Sequence, residues 1–247
     1  MDRMLYIAMS TAKQNMQAQA TNSNNLANVS TTGFRADLEQ MRSMPVFGDG
    51  MPTRAYAMNE RHAIDFSQGP IMTTGRDLDI AVRGEGWIAV QSPDGSEAYT
   101  RAGDLHIEET GMLTNGSGHP ILGDNGQPIV LPPAEKIEIG SDGSVSIRPM
   151  GQAAGELAMV NRIKLVNPPA VELTKGEDGL IRLAEGGPAP ADAEVRLVAG
   201  SLEGSNVSAV EAMVKMIELQ RQYEMQIKMM KTAKDNDAAT DQMLRIS

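Results

Sequence analysis

"VEAMVKMIELQRQYEMQIKMMKT", residues 210–232, is the stretch that decides the fold of this chain. Side chains in it recur at alternating spacings of three and four residues, and these are Met213, Met216, Gln220, Tyr223, Ile227 and Met230. Such spacing predicts a long helix with one broad apolar face, which Val210 and Ile217 widen. Ser208 and Glu211 form an S-x-x-E capping box, so we expect the helix to begin beside Ser208.

Glycine and proline divide the chain into three parts. Residues 1–32 and 205–247 contain neither, whereas residues 67–200 hold 20 of the 24 glycines and 11 of the 13 prolines. Because both residue types interrupt helices, the two ends are predicted helices and the middle is rich in turns.

The N-terminal helix is predicted from small side chains rather than large apolar ones. Its stripe consists of Leu5, Ala8, Ala12, Met16 and Ala20, accompanied by the amides Asn15, Gln19, Asn22 and Asn25. A lone helix of this kind is marginal in water, so it needs a partner. The C-terminal helix is the first candidate.

Four asparagines crowd the end of this helix in "TNSNNLANVSTTGFR", residues 21–35. They are Asn22, Asn24, Asn25 and Asn28. Asparagine competes with helical hydrogen bonds, so a self-sufficient helix has little use for so many. So many of them indicate that this segment has a role besides ending the helix.

The middle of the chain is predicted to be β structure. Short apolar runs are separated by Asp-Gly or Asn-Gly at 94–95, 115–116, 125–126, 142–143 and 178–179, which favour tight turns with positive φ between antiparallel strands. The predicted fold is mixed α and β: terminal helices pack together as a discontinuous helical domain, with an all-β, mostly antiparallel domain inserted between them. The predicted limits are 1–35 with 202–247 for the helical domain, 36–66 for an extended linker and 67–201 for the β domain.

Composition excludes several function classes. The net charge is -10, and no Lys/Arg cluster offers a nucleic-acid surface. Cysteine is absent, so thiolate metal sites and a cysteine nucleophile are excluded. The uncharged runs are too polar for direct membrane insertion, and the N-terminus lacks the apolar core of a cleavable secretory signal.

Few residues suggest chemistry. Gly84-Glu85-Gly86 is half of a dinucleotide fingerprint without a following helix and is better explained as a turn. The three histidines, at 62, 106 and 119, lack paired ligand spacing, so we expect no metal and no cofactor. Asp77 and Asp79 are better explained as a solvated strand face than as an acid/base pair.

Methionine is more informative. Of 18 methionines, 14 lie outside the β region, and methionine suits surfaces that must fit several different neighbours. A two-helix hairpin cannot enclose methionines on all sides of its longer helix. Part of that surface is therefore expected to meet other chains.

Three separated segments resemble the flagellar rod and hook axial proteins. "SNNLANVSTTGFR" (23–35) resembles their N-terminal signature, and residues 202–244, which contain "LEGSNV" and "QRQYE", resemble their C-terminal helix. "GRDLDIAVRGEGWIAVQ" (75–91) is similar to their middle domain. Within the family, the short middle domain and Trp87 are most similar to proximal rod members, with a distal rod member as the alternative.

The resemblance implies a structural, non-enzymatic subunit of the flagellar basal-body rod in the periplasm. It implies export by the flagellar type III apparatus without a cleaved signal, and partners that are other axial proteins and copies of the same chain. In the assembled rod, the amides of Asn22, Asn24, Asn25 and Asn28 would bond to other subunits, and in the free chain this segment would be disordered or loosely helical. Gly33 would permit the turn toward the β domain, and Phe34 would anchor it. The predicted subunit-interaction residues are Leu5, Ala8, Ala12, Met16, Asn22, Asn25, Leu26, Asn28, Gly33, Phe34, Asn206, Val210, Met213, Met216, Ile217, Tyr223, Ile227 and Met230.

Two other functions stay open at this point. One is a glycan-binding β domain on a helical stalk, with Trp87 and Tyr99 as the stacking surface. The other is hydrolysis of the cell wall, which would need a poised carboxylate pair such as Asp77 and Asp79.

Overall fold

The computed structural model describes residues 3–45, 55–149 and 158–244. Its helices are α1 (Arg3–Ala27) and α2 (Ala209–Leu244). Its strands are β1 (Asp37–Pro45), β2 (Ala55–Ile64), β3 (Ile71–Thr73), β4 (Ile80–Arg83), β5 (Trp87–Gln91), β6 (Glu97–Thr100), β7 (Leu105–Ile107), β8 (Leu113–Asn115), β9 (Ala134–Ile139), β10 (Ser144–Pro149), β11 (Ala158–Arg162), β12 (Leu165–Val166), β13 (Leu173–Lys175), β14 (Ile181–Leu183), β15 (Arg196–Ala199) and β16 (Ser201–Glu203). The mixed fold predicted from the sequence is confirmed.

The two helices lie where glycine and proline are absent. The capping box also acts as expected, because α2 begins at Ala209 and the backbone N–H of Glu211 donates to Oγ of Ser208 at 3.4 Å. Helix α1 includes residues 21–27 of the asparagine-rich segment and ends at Ala27, just before Asn28.

The segment that we expected to be an extended linker, 36–66, is extended but paired. Strands β1 and β2 form an antiparallel hairpin in register from Asp37 opposite Ile64 to Pro45 opposite Ala55, with one irregularity after Gln40. Both strands contact α1. Residues 46–54 of the predicted linker lie outside the described residues.

The β region contains several small sheets around one apolar core. A five-stranded sheet has the order β12-β5-β6-β14-β13, a three-stranded sheet has the order β11-β10-β9, and β15 pairs with β4, β16 with β3, and β7 with β8. All of these pairs are antiparallel, as predicted. The core is aliphatic and includes Ile80, Ile88, Leu105, Leu113, Ile121, Ile129, Val145 and Ile163.

Six five-residue hairpin loops within the described residues share one geometry. The N–H of the first residue donates to the carbonyl of the fifth, and the N–H of the fourth residue donates to the carbonyl of the first. These loops are 92–96, 108–112, 115–119, 123–127, 140–144 and 176–180. The fourth residue is always a glycine with φ between 73° and 84°, which completes a turn followed by a left-handed residue.

Four of the five predicted turns place positive φ at the expected glycine, and the fifth prediction is wrong. In the loop 115–119, the Asn-Gly pair occupies the first two positions, so the left-handed residue is Gly118 and not Gly116. A Cβ at Gly116 would lie 1.8 Å from Oδ2 of Asp104, so close packing explains that glycine instead.

The contacts divide the chain into two compact units. The helical unit contains α1, β1, β2 and α2, and the β unit contains β3–β16 together with residues 30–35. Within the described part of the chain, no helix is long and apolar enough to cross a membrane.

Candidate subunit-interaction surfaces

Helices α1 and α2 pack along an antiparallel seam of small and amide side chains. The amide Nδ2 of Asn22 donates to the carbonyl of Ala212 at 2.7 Å, which joins the end of α1 to the start of α2. From this contact, the buried positions continue toward the N-terminus of α1 and toward the C-terminus of α2. On α1 they are Ala8, Ala12, Asn15, Ala18 and Asn25.

The predicted stripe on α1 is therefore partly wrong. Ala8 and Ala12 are buried as expected, but Met16 is 58% exposed and Ala20 is also exposed. After Ala12 the seam moves to Asn15 and Ala18, because steps of four residues in a helix of 3.6 residues per turn drift away from the contact.

The observed inward face of α2 differs from the predicted one at every second position, where the inward residue lies one place earlier in the sequence. The inward positions are Ala212, Met216, Leu219, Tyr223, Gln226, Met230 and Ala233, again at spacings of four and three. Met216, Tyr223 and Met230 belong to both sets, whereas Met213, Gln220 and Ile227 are exposed. Small side chains at 212 and 233 suit close approach to the alanines of α1, and the larger methionine and isoleucine side chains do not.

Three of the four clustered asparagines make side-chain hydrogen bonds inside the chain. Besides Asn22, the Asn25 side chain pairs with Asp37: Nδ2 donates to the Asp37 carbonyl at 2.8 Å, and Oδ1 accepts the Asp37 N–H at 2.9 Å. Nδ2 of Asn28 donates to the Asn24 carbonyl at 2.9 Å. The expectation that Asn22 and Asn25 depend on other subunits is therefore wrong, and these amides instead fix α1 against α2 and β1.

The seam also contains polar atoms that the described residues leave without a hydrogen-bond partner. These are Oε1 of Gln14 and Nδ2 of Asn15, and Asn15 is buried. Buried unpaired amides weaken a contact, so the seam is a poor source of stability.

Leu219 is buried in this seam, but ten other large apolar side chains of the two helices point away from it. On α1 these are Tyr6, Met9 and Met16, and on α2 they are Val210, Met213, Val214, Ile217, Met225, Ile227 and Met229. Val210 is 72% exposed. At 100° per residue, Val210, Met213, Val214 and Ile217 lie on the face of α2 opposite Ala212, Met216 and Leu219. We call these two outward sets the outer faces.

The remaining predicted interaction residues on the helices are half-buried. They are Leu5 and Leu26 on α1, with Asn28 just after its end. The set of 18 predicted residues therefore divides between the seam, the outer faces and the β unit.

In the β unit, the three sequence motifs meet at a buried ion-pair cluster. Glu203 is 0% exposed; its Oε1 accepts from Nη2 of Arg35 at 2.6 Å, and its Oε2 accepts from Nη1 of Arg101 at 2.9 Å. The backbone N–H of Gly69 donates to Oε1 at 3.0 Å. Together with Trp87, we call Arg35, Arg101 and Glu203 the motif junction.

Trp87 contacts both guanidinium groups of the junction. The Cζ atoms of Arg35 and Arg101 lie 5.7 and 5.2 Å from the centre of its ring, and Phe66 meets the ring edge-on at 5.8 Å. Burial lowers the pKa of Arg101, and the Glu203 carboxylate opposes that shift. Two buried arginines against one glutamate leave the cluster positively charged, and the ring of Trp87 faces that charge.

Gly33 and Phe34 hold the N-terminal motif against this junction. Gly33 has φ of 67°, and its N–H donates to the Glu203 carbonyl at 2.8 Å. A Cβ at Gly33 would lie 2.2 Å from the carbonyl carbon of Arg101, so only glycine fits. Nζ of Lys175 lies 4.2 Å from the ring centre of Phe34.

Asn206 closes the other side of the same region. Its N–H donates to the Phe34 carbonyl at 3.3 Å, and its side chain donates to the Ser67 carbonyl at 3.1 Å. Sequence reasoning named Gly33, Phe34 and Asn206 but missed Arg35, Arg101 and Glu203. Arg35 and Glu203 lie within segments 23–35 and 202–244, whose resemblance to the family was the available signal, whereas Arg101 lies in "YTRAGD" (99–104), outside the three segments.

The glycan-binding alternative is contradicted by burial. Trp87 is 5% exposed and Tyr99 is fully buried, so neither ring can stack on a sugar. The Tyr99 hydroxyl accepts the Ala189 N–H at 2.7 Å and donates to Glu97, and burial raises the pKa of Tyr99 well above its usual range.

The carboxylates at 77 and 79 do not form a shared strand face. Asp77 is exposed, but Asp79 is buried, where Oδ2 accepts from the Thr74 hydroxyl at 2.7 Å. The prediction of a solvated face is therefore wrong for Asp79. Gly84 and Gly86 have positive φ between β4 and β5, which confirms the turn. Across the described residues, no group of three or more acidic or histidine side chains could hold a metal ion.

Comparisons with known proteins cover the same three segments. Family profiles match residues 5–35 as "Flagella basal body rod protein", residues 81–147 as "Flagellar hook protein FlgE/F/G D1 domain" and residues 198–243 as "Flagellar basal body rod FlgEFG protein C-terminal". These ranges contain the four residues of the motif junction and nearly all of both helices.

Whole-chain relatives agree with the profiles. The chain is 42% identical to flagellar basal-body rod protein FlgF of Escherichia coli strain K12 and 40% identical to FlgF of Salmonella typhimurium, in each case over 100% of both chains. It is 33% identical to flagellar basal-body rod protein FlgG of Buchnera aphidicola over 95% of both chains. The chain therefore belongs to the family of flagellar basal-body rod proteins.

Proposed function

We propose that this chain is a structural subunit of the flagellar basal-body rod and that the outer faces of α1 and α2 join it to neighbouring subunits. The observation that carries the proposal is the number of large apolar side chains that the helix pair leaves exposed. Alanines and asparagines make up most of the buried positions of the seam, with Leu219 among them, whereas ten tyrosine, methionine, valine and isoleucine side chains face outward. A helix pair that functioned alone would place the larger apolar groups inside.

The exposed apolar surface needs a partner. Contiguous apolar patches on soluble chains mark interaction sites, and Val210, Met213, Val214 and Ile217 form one on consecutive turns of α2. Tyr6, Met9 and Met16 add a second on α1. Other axial proteins and further copies of this chain are the partners that we propose, because rod proteins assemble from such chains.

We further propose a proximal position in the rod, export by the flagellar type III apparatus without a cleaved signal, and no catalytic role. The resemblance of Trp87 and the short middle domain to proximal rod members supports the proximal position, as does the higher identity to an FlgF protein, 42%, than to an FlgG protein, 33%. Membership in a structural family supports the absence of a catalytic role.

A charge on an outer face tests the proposal. Ile217→Asp should allow export and folding but prevent rod growth, because assembly would bury an unpaired carboxylate. The measurement is swimming motility and the amount of chain in isolated basal bodies, in a strain that carries only the variant.

Val171→Asp is the matched control. Among the described residues of the β unit, Val171 is the most exposed large apolar one, at 91%, and it lies outside both outer faces. The same substitution there should leave motility unchanged. If the Ile217→Asp strain swims like the parent, the outer face of α2 is not a subunit contact.

A further inference from the structure

Five methionines lie on the outer faces and are open to solvent in the free chain. Met9 and Met16 are on α1, and Met213, Met225 and Met229 are on α2. Their exposed fractions run from 39% for Met229 to 58% for Met16. Among the helix residues whose side chains the structure describes, these five are the exposed methionines.

Two other methionines of α2 provide an internal contrast. Met216 and Met230 lie on the inward face, against α1, and are only partly exposed. The same helix therefore carries solvent-facing and seam-facing thioethers, which share sequence surroundings but differ in access to a dissolved oxidant.

We propose that the five outer-face methionines are oxidation sites, and that two-electron oxidants such as hydrogen peroxide thereby block assembly of the free subunit. The thioether sulfur attacks one peroxide oxygen, the O–O bond breaks, and a sulfoxide and water are formed. The sulfur loses two electrons and the peroxide is reduced. The step needs nothing from the protein besides access.

The consequence rests on the proposed function of the outer faces. A sulfoxide replaces a flexible apolar contact with a strong dipole and acceptor, which costs free energy when it is buried without a donor. Assembly would bury these sulfurs, so the free subunit is sensitive to oxidation and the assembled subunit is protected. Methionine sulfoxide reductases reverse the modification.

The first test uses the purified full-length chain. Hydrogen peroxide is added and sulfoxide at each methionine is followed with time by peptide mass spectrometry. The outer-face methionines should oxidise several-fold faster than Met216 and Met230. Equal rates for the two groups would overturn the assignment.

The second test asks whether the modification blocks assembly. In one variant all five outer-face methionines are replaced with glutamine, which is similar in length, forms helices well and imitates the sulfoxide. In the other they are replaced with leucine, which is apolar and cannot be oxidised in this way. Circular dichroism should show equal helicity for both. The glutamine variant should reach isolated basal bodies about tenfold less than the leucine variant, which corresponds to 1.4 kcal/mol.

Met159→Gln is the matched control, because Met159 is exposed on β11 and lies outside the helices. It should incorporate normally. If the glutamine and leucine variants incorporate equally while Ile217→Asp does not, the oxidation inference fails and the outer-face contact stands. If Ile217→Asp also incorporates normally, the proposed contact fails as well.

Discussion

Glu203→Gln should strongly destabilise the β unit, because Glu203 is the one carboxylate that the motif junction places between Arg35 and Arg101. The glutamate is fully buried, with bonds of 2.6 and 2.9 Å to the two guanidinium groups. The substitution removes the negative charge and presents an N–H group where an acceptor was. It leaves two buried cations beside Trp87.

The magnitude follows from the buried geometry. Removing one partner of a buried ion pair costs about 3–5 kcal/mol, and here one removal affects two pairs. With a urea m-value of about 2 kcal/mol/M, the unfolding midpoint should fall by about 2 M. The chain contains a single tryptophan, so the fluorescence of Trp87 during a urea titration reports directly on the junction.

Glu138→Gln is the matched control. Oε1 of Glu138 lies 2.6 Å from Nζ of Lys136, but both side chains are nearly half exposed, so the midpoint should not move measurably. Replacing Arg35, Arg101 and Glu203 together with apolar residues should give a chain more stable than Glu203→Gln, because no charge stays unpaired. A Glu203→Gln midpoint within about 0.3 M of the control value would refute the reasoning.

Three further perturbations have definite expected outcomes. Gly33→Ala should lower the free energy of unfolding by about 3 kcal/mol or more, because the new Cβ would lie 2.2 Å from backbone at a residue with φ of 67°. Gly95→Ala is the control, since Gly95 has φ of 84° but open space around it, and it should lower the free energy of unfolding by about 1–2 kcal/mol in the same urea titration. Asn25→Ala removes two backbone hydrogen bonds and should lower helical-unit stability by about 2 kcal/mol, measured by circular dichroism at 222 nm; an unchanged midpoint would contradict the assigned pairing. The hydrogen bond from Arg182 lowers the pKa of Asp178 from 3.8 to about 2, so the ionised Asp178 stabilises the fold above pH 4 and this stabilisation is lost as the pH falls toward 2. In Asp178→Asn, the urea midpoint should therefore change less with pH between 4 and 2 than in the parent chain. An unaltered pH dependence would show that the pair of Asp178 and Arg182 does not cause it.

Local signals in the sequence predicted the elements well. The Ser208 cap and the Asp-Gly pairs act through bonds that span at most five residues, so their geometry follows from the residues themselves. The error at Gly116 has the same local origin, because a five-residue loop can place an Asn-Gly pair at its start as well as at its third position.

Partners distant in sequence were not predictable in this way. Nothing near Asn25 indicates that its amide faces Asp37, and nothing near Arg35 indicates Glu203, 168 positions away. The predicted face of α2 is wrong at every second position because a spacing of three and four residues fits two neighbouring faces of one helix. Ala212, Leu219 and Ala233 are the buried positions of α2, and the buried positions of α1 are alanines and asparagines.

The joining of residues 33–34 to residues 203–206 also has a consequence for the order of folding. Each five-residue hairpin loop can form as soon as its own strands exist, but the bonds from Gly33 to Glu203 and from Asn206 to Phe34 close a very long loop. The Trp87 signal should therefore develop after the bulk of the β ellipticity in stopped-flow refolding, and simultaneous phases would contradict this order. Any process that delivers the polypeptide from its first residue to its last leaves the β unit unfinished until residues 201–206 arrive.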